Sequence, residues 1–363
     1  VEVVPLVGRL FDVLDRARAS LMRLDGVIDN LPGRTVLLRA MRTREAQASS
    51  RIENTHASLE EIAIADVEKR RASSEAMEVL RNRAAIEAGL LSDLPVSKRL
   101  ACMMHAQLIT DRRHRPGQFR DIPVCIGDPT RGFAKSRFVP PPPSRVEECM
   151  SAWEKFCNPA ALGAPAREKL PYFAELACAH YQFEAIHPFS DGNGRLGRAM
   201  VTLAPVKDGQ LQHPVCNLSE WVQTHRQEYY DRLLRVSTHG EWEGWIRYFC
   251  TALAEQAEAD FLRAKRLGDL YEAYSKTLTT KRASTLGIKL LDHVFDKLVV
   301  TVAEVERVLG VSNTAAASYV AKFEELGIVQ QIGSDRWNRL FLAHGVRQAI
   351  RGDGEDVPSG SQG

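Results

Sequence analysis

One stretch of the sequence gathers, within twelve residues, several groups that can act on a phosphate: His187-Pro188-Phe189-Ser190-Asp191-Gly192-Asn193-Gly194-Arg195-Leu196-Gly197-Arg198. His187 is the one group here that titrates near neutrality, which makes it the natural general base. Asp191 offers a hard oxygen to Mg²⁺, an ion that usually arrives with substrate phosphates. Gly192 and Gly194 let the backbone come close to a ligand and point N–H groups at it. A helix beginning just after them adds positive partial charge. The Asn193 amide can donate a hydrogen to an oxyanion. Arg195 and Arg198 stand three residues apart and so share a helix face, and guanidinium forks suit phosphate oxygens. Base, metal ligand, anion cradle and two arginines in this order point to phosphoryl or nucleotidyl transfer.

Two helices must hold this loop. An apolar helix precedes it and ends near Ile186, and Leu196 to Leu203 reads helical after it. The same periodicity dominates the rest of the chain. Phe173, Leu176, Ala177, His180 and Phe183 form one buried stripe. Leu218, Trp221, Val222, His225, Tyr229, Leu233 and Val236 form a second, and Trp242, Trp245, Ile246, Phe249, Leu253 and Ala257 a third. The fold class expected is therefore mainly α. One segment breaks the pattern: residues 116–143 contain two short extended pieces, Ile122–Ile126 and Arg137–Val139, separated by the turn formers Gly127, Asp128, Pro129 and Gly132. This predicts a surface β-hairpin, stopped by the polyproline run Pro140 to Pro143.

Beyond a polar stretch from Tyr274 to Ser284, expected to be an interdomain linker, the elements change. Ile288, Leu291, Phe295 and Leu298 mark a helix, and Thr301-Val302-Ala303-Glu304 a capping box opening a second. Leu309-Gly310-Val311-Ser312 reads as the tight turn of a helix-turn-helix, with a third helix from Asn313 to Leu326. Ile328–Ile332 and Trp337–Leu342 flank a turn at Gly333 to Arg336. Together they predict a winged helix-turn-helix over 284–346. The Gly-, Ser- and acid-rich tail, 352–363, is expected to be disordered. The third helix carries one base, Lys322, against Glu324 and Glu325, so protein recognition or packing is favoured over DNA binding.

Composition sets the outer limits. The chain has 363 residues, with 48 basic and 46 acidic side chains and a net charge of +2, so nothing global favours nucleic acid or an anionic membrane. Hydrophobic residues at 44% and charged residues at 26% are ordinary for a soluble globular protein. Residues 1–10 lack the pattern of a secretory leader, and no apolar run approaches the roughly 20 residues that span a bilayer. The 7 cysteines are odd in number and form no CxxC pair, which argues for buried thiols in a reducing, cytoplasmic setting. Histidines 56, 105, 114, 213, 225, 239, 293 and 344 show no metal-ligand spacing. His180, seven residues before His187, is expected to be a core or supporting residue.

On the residues quoted so far the chain resembles the Fic family (filamentation-induced-by-cAMP domain proteins). The family signature is HPFx[D/E]GNGRxxR, and residues 187–198 match it throughout. The likeness extends to the hairpin, where Gly117, Arg120, Val124, Ile126, Gly127 and the proline run look like a target-docking flap. It continues through Leu218–Ala257, including Tyr229-Tyr230. The resemblance implies a Fic-type helical bundle with a core over 99–273 and a β-hairpin flap. It implies AMPylation, the transfer of AMP from ATP to a hydroxyl of a protein, with Mg²⁺. His187 would deprotonate the target Ser, Thr or Tyr, and the alkoxide would attack the α-phosphate in line with departing pyrophosphate. Asp191 would hold Mg²⁺. The nucleotide cradle would comprise Gly192, Asn193, Gly194, Arg195, Leu196, Gly197 and Arg198, with Arg195 on the β- and Arg198 on the γ-phosphate. Tyr230 and Ser237 would border the adenosine. Cys125, Ile126 and Gly127 would pair with an extended target strand. Gly194 argues against the phosphate-transferring members, which carry Lys there. The target would be a protein, the chain itself included. Homodimerisation and the choice of nucleobase stay open.

A second match lies upstream. Ser49-Ser50-Arg51-Ile52-Glu53-Asn54 looks like the family's inhibitory [S/T]xxxE[G/N] motif, with Ser49, Glu53 and Asn54 in the named places, on a helix expected around 45–62 within an N-terminal region of 1–98. The implied brake is Glu53 paired with Arg198 in the space of the γ-phosphate. Two alternatives stand beside the braked transferase: an enzyme that also removes AMP, and a DNA-binding regulator acting through the winged helix.

Overall fold

The apolar stripes dictate a mainly helical chain, and the computed structural model has fifteen α-helices and three short strands among the residues it describes, 3–127, 135–159, 170–280, 285–335 and 337–351. In chain order the helices are α1 (Val3–Asp29), α2 (Arg34–Ile52), α3 (Leu59–Val67), α4 (Ser74–Leu91), α5 (Lys98–Leu108), α6 (Pro143–Cys157), α7 (Tyr172–Ile186), α8 (Asn193–Lys207), α9 (Ser219–Thr224), α10 (Arg226–His239), α11 (Trp242–Thr280), α12 (Thr285–Lys297), α13 (Val302–Leu309), α14 (Asn313–Glu325) and α15 (His344–Arg351). No described helix is long and apolar enough to cross a membrane. The chain divides into two compact units: Val1–Asp25, Glu45–His56 and Glu78–Glu258 form the first, and Gly26–Arg44, Ala57–Met77 and Ala259–Gly363 the second. The sequential boundaries expected at 98, 273 and 284 do not coincide with them. The reason is local: α1, α2 and α11 are uninterrupted helices that contribute residues to both units.

In the first unit α7 and α8 form the pair that carries the loop. The stripe on α7 is buried as the spacing requires, with Phe173, Leu176, Ala177, His180 and Phe183 all inside. Trp245 donates its indole N–H to the Ala177 carbonyl at 2.8 Å, and Trp153 to the Ala179 carbonyl at 3.0 Å, so two buried indoles satisfy their polar atoms on α7. α8 is buried on nearly every face, from Asn193 through Pro205, as a helix at the centre of a bundle must be. The second apolar stripe was expected to be one helix, but it breaks at His225 into α9 and α10. There the His225 ring stacks on Trp221 at 3.7 Å and its Nδ1 bonds the Trp221 carbonyl at 2.9 Å. Among the described residues the expected hairpin shows one antiparallel bridge, Ile126 with Phe138; its tip, 128–134, lies outside them.

The second unit has its own core, including Leu37, Leu59, Leu267, Phe295, Phe323 and Phe341. Strands β1 (Val299–Val300), β2 (Gln330–Ile332) and β3 (Leu340–Leu342) make an antiparallel sheet in the order β1-β3-β2. Phe341 stands opposite Val300 on one side and Gln331 on the other. Between α13 and α14, Gly310 takes φ +68° and Ser312 caps α14. Thr301 accepts from the Glu304 N–H at 3.1 Å, but the Glu304 carboxylate turns to His293 at 3.1 Å, so only half of the expected capping box forms. A complete box is found at Ser58 and Glu61 instead. The linker expected from Tyr274 is helical through Thr280. Residues 281–284, Arg336 in the predicted wing and the predicted disordered tail lie outside the described residues.

Candidate functional site

The loop between α7 and α8 is held by residues distant in sequence. His187 closes α7 with φ +51°, a left-handed conformation uncommon for a non-glycine residue. Arg120 fixes it there. Its guanidinium donates to the His187 carbonyl at 2.8 Å, Ile186 at 3.3 Å, Pro141 at 2.6 Å and Ile122 at 3.2 Å. Its backbone N–H donates to Pro188 at 2.9 Å. On the other side the His105 ring stacks on Phe189 at 3.9 Å. His105 Nδ1 accepts from the Gly117 N–H at 2.9 Å, which leaves Nε2–H to donate to the Asp191 carbonyl at 3.1 Å. Burial pushes His105 down to about 4, so this neutral tautomer persists at physiological pH.

Inside the loop, the Asn193 side chain is engaged with the loop's own backbone. It is buried and exchanges two bonds with the Phe189 backbone, accepting from N–H at 2.9 Å and donating to the carbonyl at 2.8 Å. The side-chain amide thereby satisfies both backbone groups of Phe189 and braces the turn. Gly192 caps α8 at φ +78°. Asp191 accepts from Gly192 N–H at 2.6 Å and Arg195 at 3.3 Å, both at Oδ1. Oδ2 is left to the open side, with the side chain 44% exposed. Arg195, expected beside Arg198 on a phosphate, is buried and paired with Glu78 of α4, whose carboxylate also accepts from the Thr55 hydroxyl at 3.0 Å.

A cavity of about 130 Å³ opens beside this loop. His187, Gly194 and Arg198 line it from the loop and α8, Tyr181 and Glu184 from α7, Tyr229, Tyr230 and Ser237 from α10, and Ile126 and Phe138 from the hairpin. Burial lowers His187 to about 4, with its Nδ1 against the Glu184 carbonyl at 3.4 Å, so the imidazole is neutral and able to take a proton. Tyr230 lies between Arg137 at 5.9 Å and Arg226 at 5.8 Å from its ring centre. Ser237 shares a hydrogen bond with Tyr181 at 2.8 Å. Ile126 uses its own N–H and carbonyl on Phe138 and Arg137, so by strand alternation Cys125 presents its own to the other edge, whereas Gly127, at φ +126°, leaves the extended conformation.

The Glu53 segment reaches this cavity. α2 ends in two cap bonds, Thr55 N–H to the Ser50 carbonyl and Asn54 N–H to the Arg51 carbonyl, each 3.0 Å. Asn54 sits at φ +66°. This is a Schellman cap, which needs Gly or Asn at the left-handed position, and it places Glu53 as the last residue of the turn. Glu53 Oε1 accepts from Arg198 at 2.8 Å; Arg198 also donates to the Ser49 hydroxyl and carbonyl, each at 3.0 Å. Arg198 is 1% exposed and Glu53 33%. The Asn54 side chain accepts from Arg226 at 3.1 Å.

Of the predicted site residues, the cavity thus gathers His187, Gly194, Arg198, Tyr230, Ser237, Glu53 and Ile126. Leu196 belongs to the core, and Gly197 meets Glu184. Arg120's contacts, His105, Glu78, Thr55 and Glu184 were missed. No spacing signal marks the first four, since each acts across the fold; Glu184 was within sight, three residues before His187.

The sequence model of the Fic/DOC family matches residues 95–204, and that of the Fic/DOC family N-terminal region matches residues 11–91. Among curated proteins, the chain is 31% identical over 139 residues to the protein adenylyltransferase Fic of Culex quinquefasciatus, which is 37% of this chain and 23% of the relative. The Aedes aegypti protein of the same name gives the same figures. The chain therefore spans about a quarter of these relatives. Among solved structures, a Fic family protein from Desulfovibrio desulfuricans G20 has a TM-score of 0.57 at 20% identity, covering 94% of this chain and 97% of that one. Fic-1 (residues 134–508) from C. elegans has a TM-score of 0.51 at 23% identity, covering 74% and 75%. The structural likenesses speak to the fold alone.

Proposed function

The chain belongs to the Fic/DOC family, and on that premise we propose that it is a protein adenylyltransferase, moving AMP from ATP to a hydroxyl side chain of a protein and restrained by its own Glu53. The observation that carries this reading is one cavity holding a neutral histidine, His187, together with a buried arginine, Arg198, already occupied by a carboxylate. His187 accepts the proton of the attacking hydroxyl. The alkoxide forms the new P–O bond at the α-phosphate as the bond to pyrophosphate breaks. N–H groups at the start of α8 offset the charge that builds on the phosphoryl oxygens, and Arg198 binds the terminal phosphate. Glu53 competes for that same guanidinium.

The residues present also suit Mg²⁺. No cluster of three or more acidic, His or Cys side chains occurs among the described residues, and this ion is often held by one or two carboxylates and the substrate phosphates. Asp191, through its open Oδ2, would hold it; when bound it would neutralise phosphate charge. Arg195 answers to Glu78 rather than to the cavity, so its share in binding the β-phosphate requires that pair to open. Docking of an extended target strand would run along the flap at Cys125, whose backbone N–H and carbonyl are not used on Arg137 or Phe138.

The test is transfer of label from α-labelled ATP, in cell lysate and on the chain itself, by wild type, Glu53→Gly and His187→Ala. Label is expected to rise roughly tenfold or more in Glu53→Gly, since each 1.4 kcal/mol of restraint is a factor of about ten, and to vanish in His187→Ala. Label that persists without His187 rejects the reaction; equal label in wild type and Glu53→Gly rejects the brake alone.

A further inference from the structure

Two glycines one turn apart on α8 each seat a carboxyl group, and Arg198 follows the second. A Cβ at Gly194 would collide with Glu53 Oε1 and lie 3.0 Å from Arg198 Nη1; a Cβ at Gly197 would collide with Glu184 Oε1. Glu53 is the brake just described. Glu184 comes from the last turn of α7 and is 8% exposed. Its Oε1 is buried with no hydrogen-bond partner, yet the side chain lines the same cavity as Glu53, His187 and Arg198. A buried, unpaired carboxylate oxygen is expensive, and nothing in the reaction proposed above uses it.

The charges around it explain the arrangement. Arg198 of α8 faces it with a positive charge and Glu53, beyond α2, with a negative one. Tyr229 of α10, His180 of α7 and His187 at the cap of α7 are the other titratable neighbours, all held neutral by burial. Desolvation, opposed by Arg198 and reinforced by Glu53, raises the Glu184 carboxyl to about 7. One guanidinium is thus shared by two carboxylates, and the buried one, Glu184, is the one poised to exchange a proton near neutrality.

Resting on the nucleotide reading of the cavity, we propose that Glu184 is a positioning residue, the second carboxyl of Arg198, protonated while another anion shares that guanidinium and ionised when none does. The sharing anion is Glu53 in the braked protein and the terminal phosphate of a nucleoside triphosphate in the loaded one. With neither present, Glu184 ionises and keeps Arg198 in place. Binding of a triphosphate to the released site then moves one proton from solvent onto a Glu184 oxygen, and a monophosphate, which does not reach Arg198, moves none.

Calorimetric titration with Mg·ATP in two buffers of different ionisation enthalpy reads that proton directly. Glu53→Gly is expected to take up more protons at pH 7 than Glu53→Gly/Glu184→Gln, and the two to behave alike toward AMP. The ATP Kd of Glu53→Gly should weaken as pH rises toward 7, by up to about tenfold per pH unit, and level off above it, a slope the Gln variant flattens to that of the nucleotide itself. Infrared difference spectra need no change at Glu184: the band of a protonated carboxylic acid should be present in wild type, weaken in Glu53→Gly and return with ATP. Equal proton uptake by both variants, or a band indifferent to Glu53 and to ATP, overturns the inference while leaving the transferase intact. Failure of Glu53→Gly to bind ATP at all would bring down the nucleotide reading first.

Discussion

At the scale of single residues the site runs on neutral imidazoles. Burial lowers His105 to about 4, His180 to about 3 and His187 to about 4, each well below the ordinary value of about 6.5. The ring signals of these three histidines are expected to stay still in NMR spectra between pH 8 and 5, while exposed histidines move. If His187 is the base, the acid limb of the transfer rate should fall near pH 4 rather than 6.5. The sign for stability is the same. These groups bind protons more weakly folded than unfolded, so their contribution is complete above about pH 6.5 and is lost as pH falls toward 4. Movement of all three signals near pH 6.5 would show that the rings are solvated.

At the scale of elements the decisive feature is how helices end. His187 at +51° turns α7 into the loop, and Asn54 at +66° turns α2 out of the cavity. The first is imposed by the Arg120 fork, the second by the residue type itself. Asn54→Gly should leave stability within a few tenths of a kcal/mol, whereas Asn54→Val should cost about 1–2 kcal/mol and loosen Glu53 from Arg198. Higher self-labelling in the Val variant, with little change in the Gly variant, is the expected outcome of the same label assay. Equal activity in the two would separate the brake from the cap geometry. The helices were legible in the sequence because their apolar spacing fixes a buried face. The His225 break was not, since a stacked ring and one side-chain bond interrupt a pattern that is otherwise continuous.

At the scale of the whole molecule the two compact units share no simple boundary in the chain, and the first unit draws Glu53 and the loop from segments 145 residues apart. Glu53→Gly leaves Arg198 buried with fewer partners. Because Glu53 is one-third exposed, its contribution is discounted to about 1–2 kcal/mol, a fall of a few degrees in Tm. Added Mg·ATP should restore the loss by mass action and should raise the Tm of wild type much less. A melting scan of both proteins with and without nucleotide checks this; equal shifts would mean that Glu53 and the triphosphate do not compete.

The order of residues 187–198 was enough to point to phosphate chemistry as the proposal, because each side-chain type carries its own reactivity wherever it sits. The Ser49–Asn54 motif and the helical faces were likewise written in local spacing. Folding alone decided which of those groups face a common space. It turned Asn193 inward to brace the loop, gave Arg195 to Glu78, and set Glu53 against Gly194 and Glu184 against Gly197 in the cavity that Arg198 lines. Burial then assigned the protons, since the energy of a charge depends on what surrounds it in three dimensions and not on its neighbours along the chain.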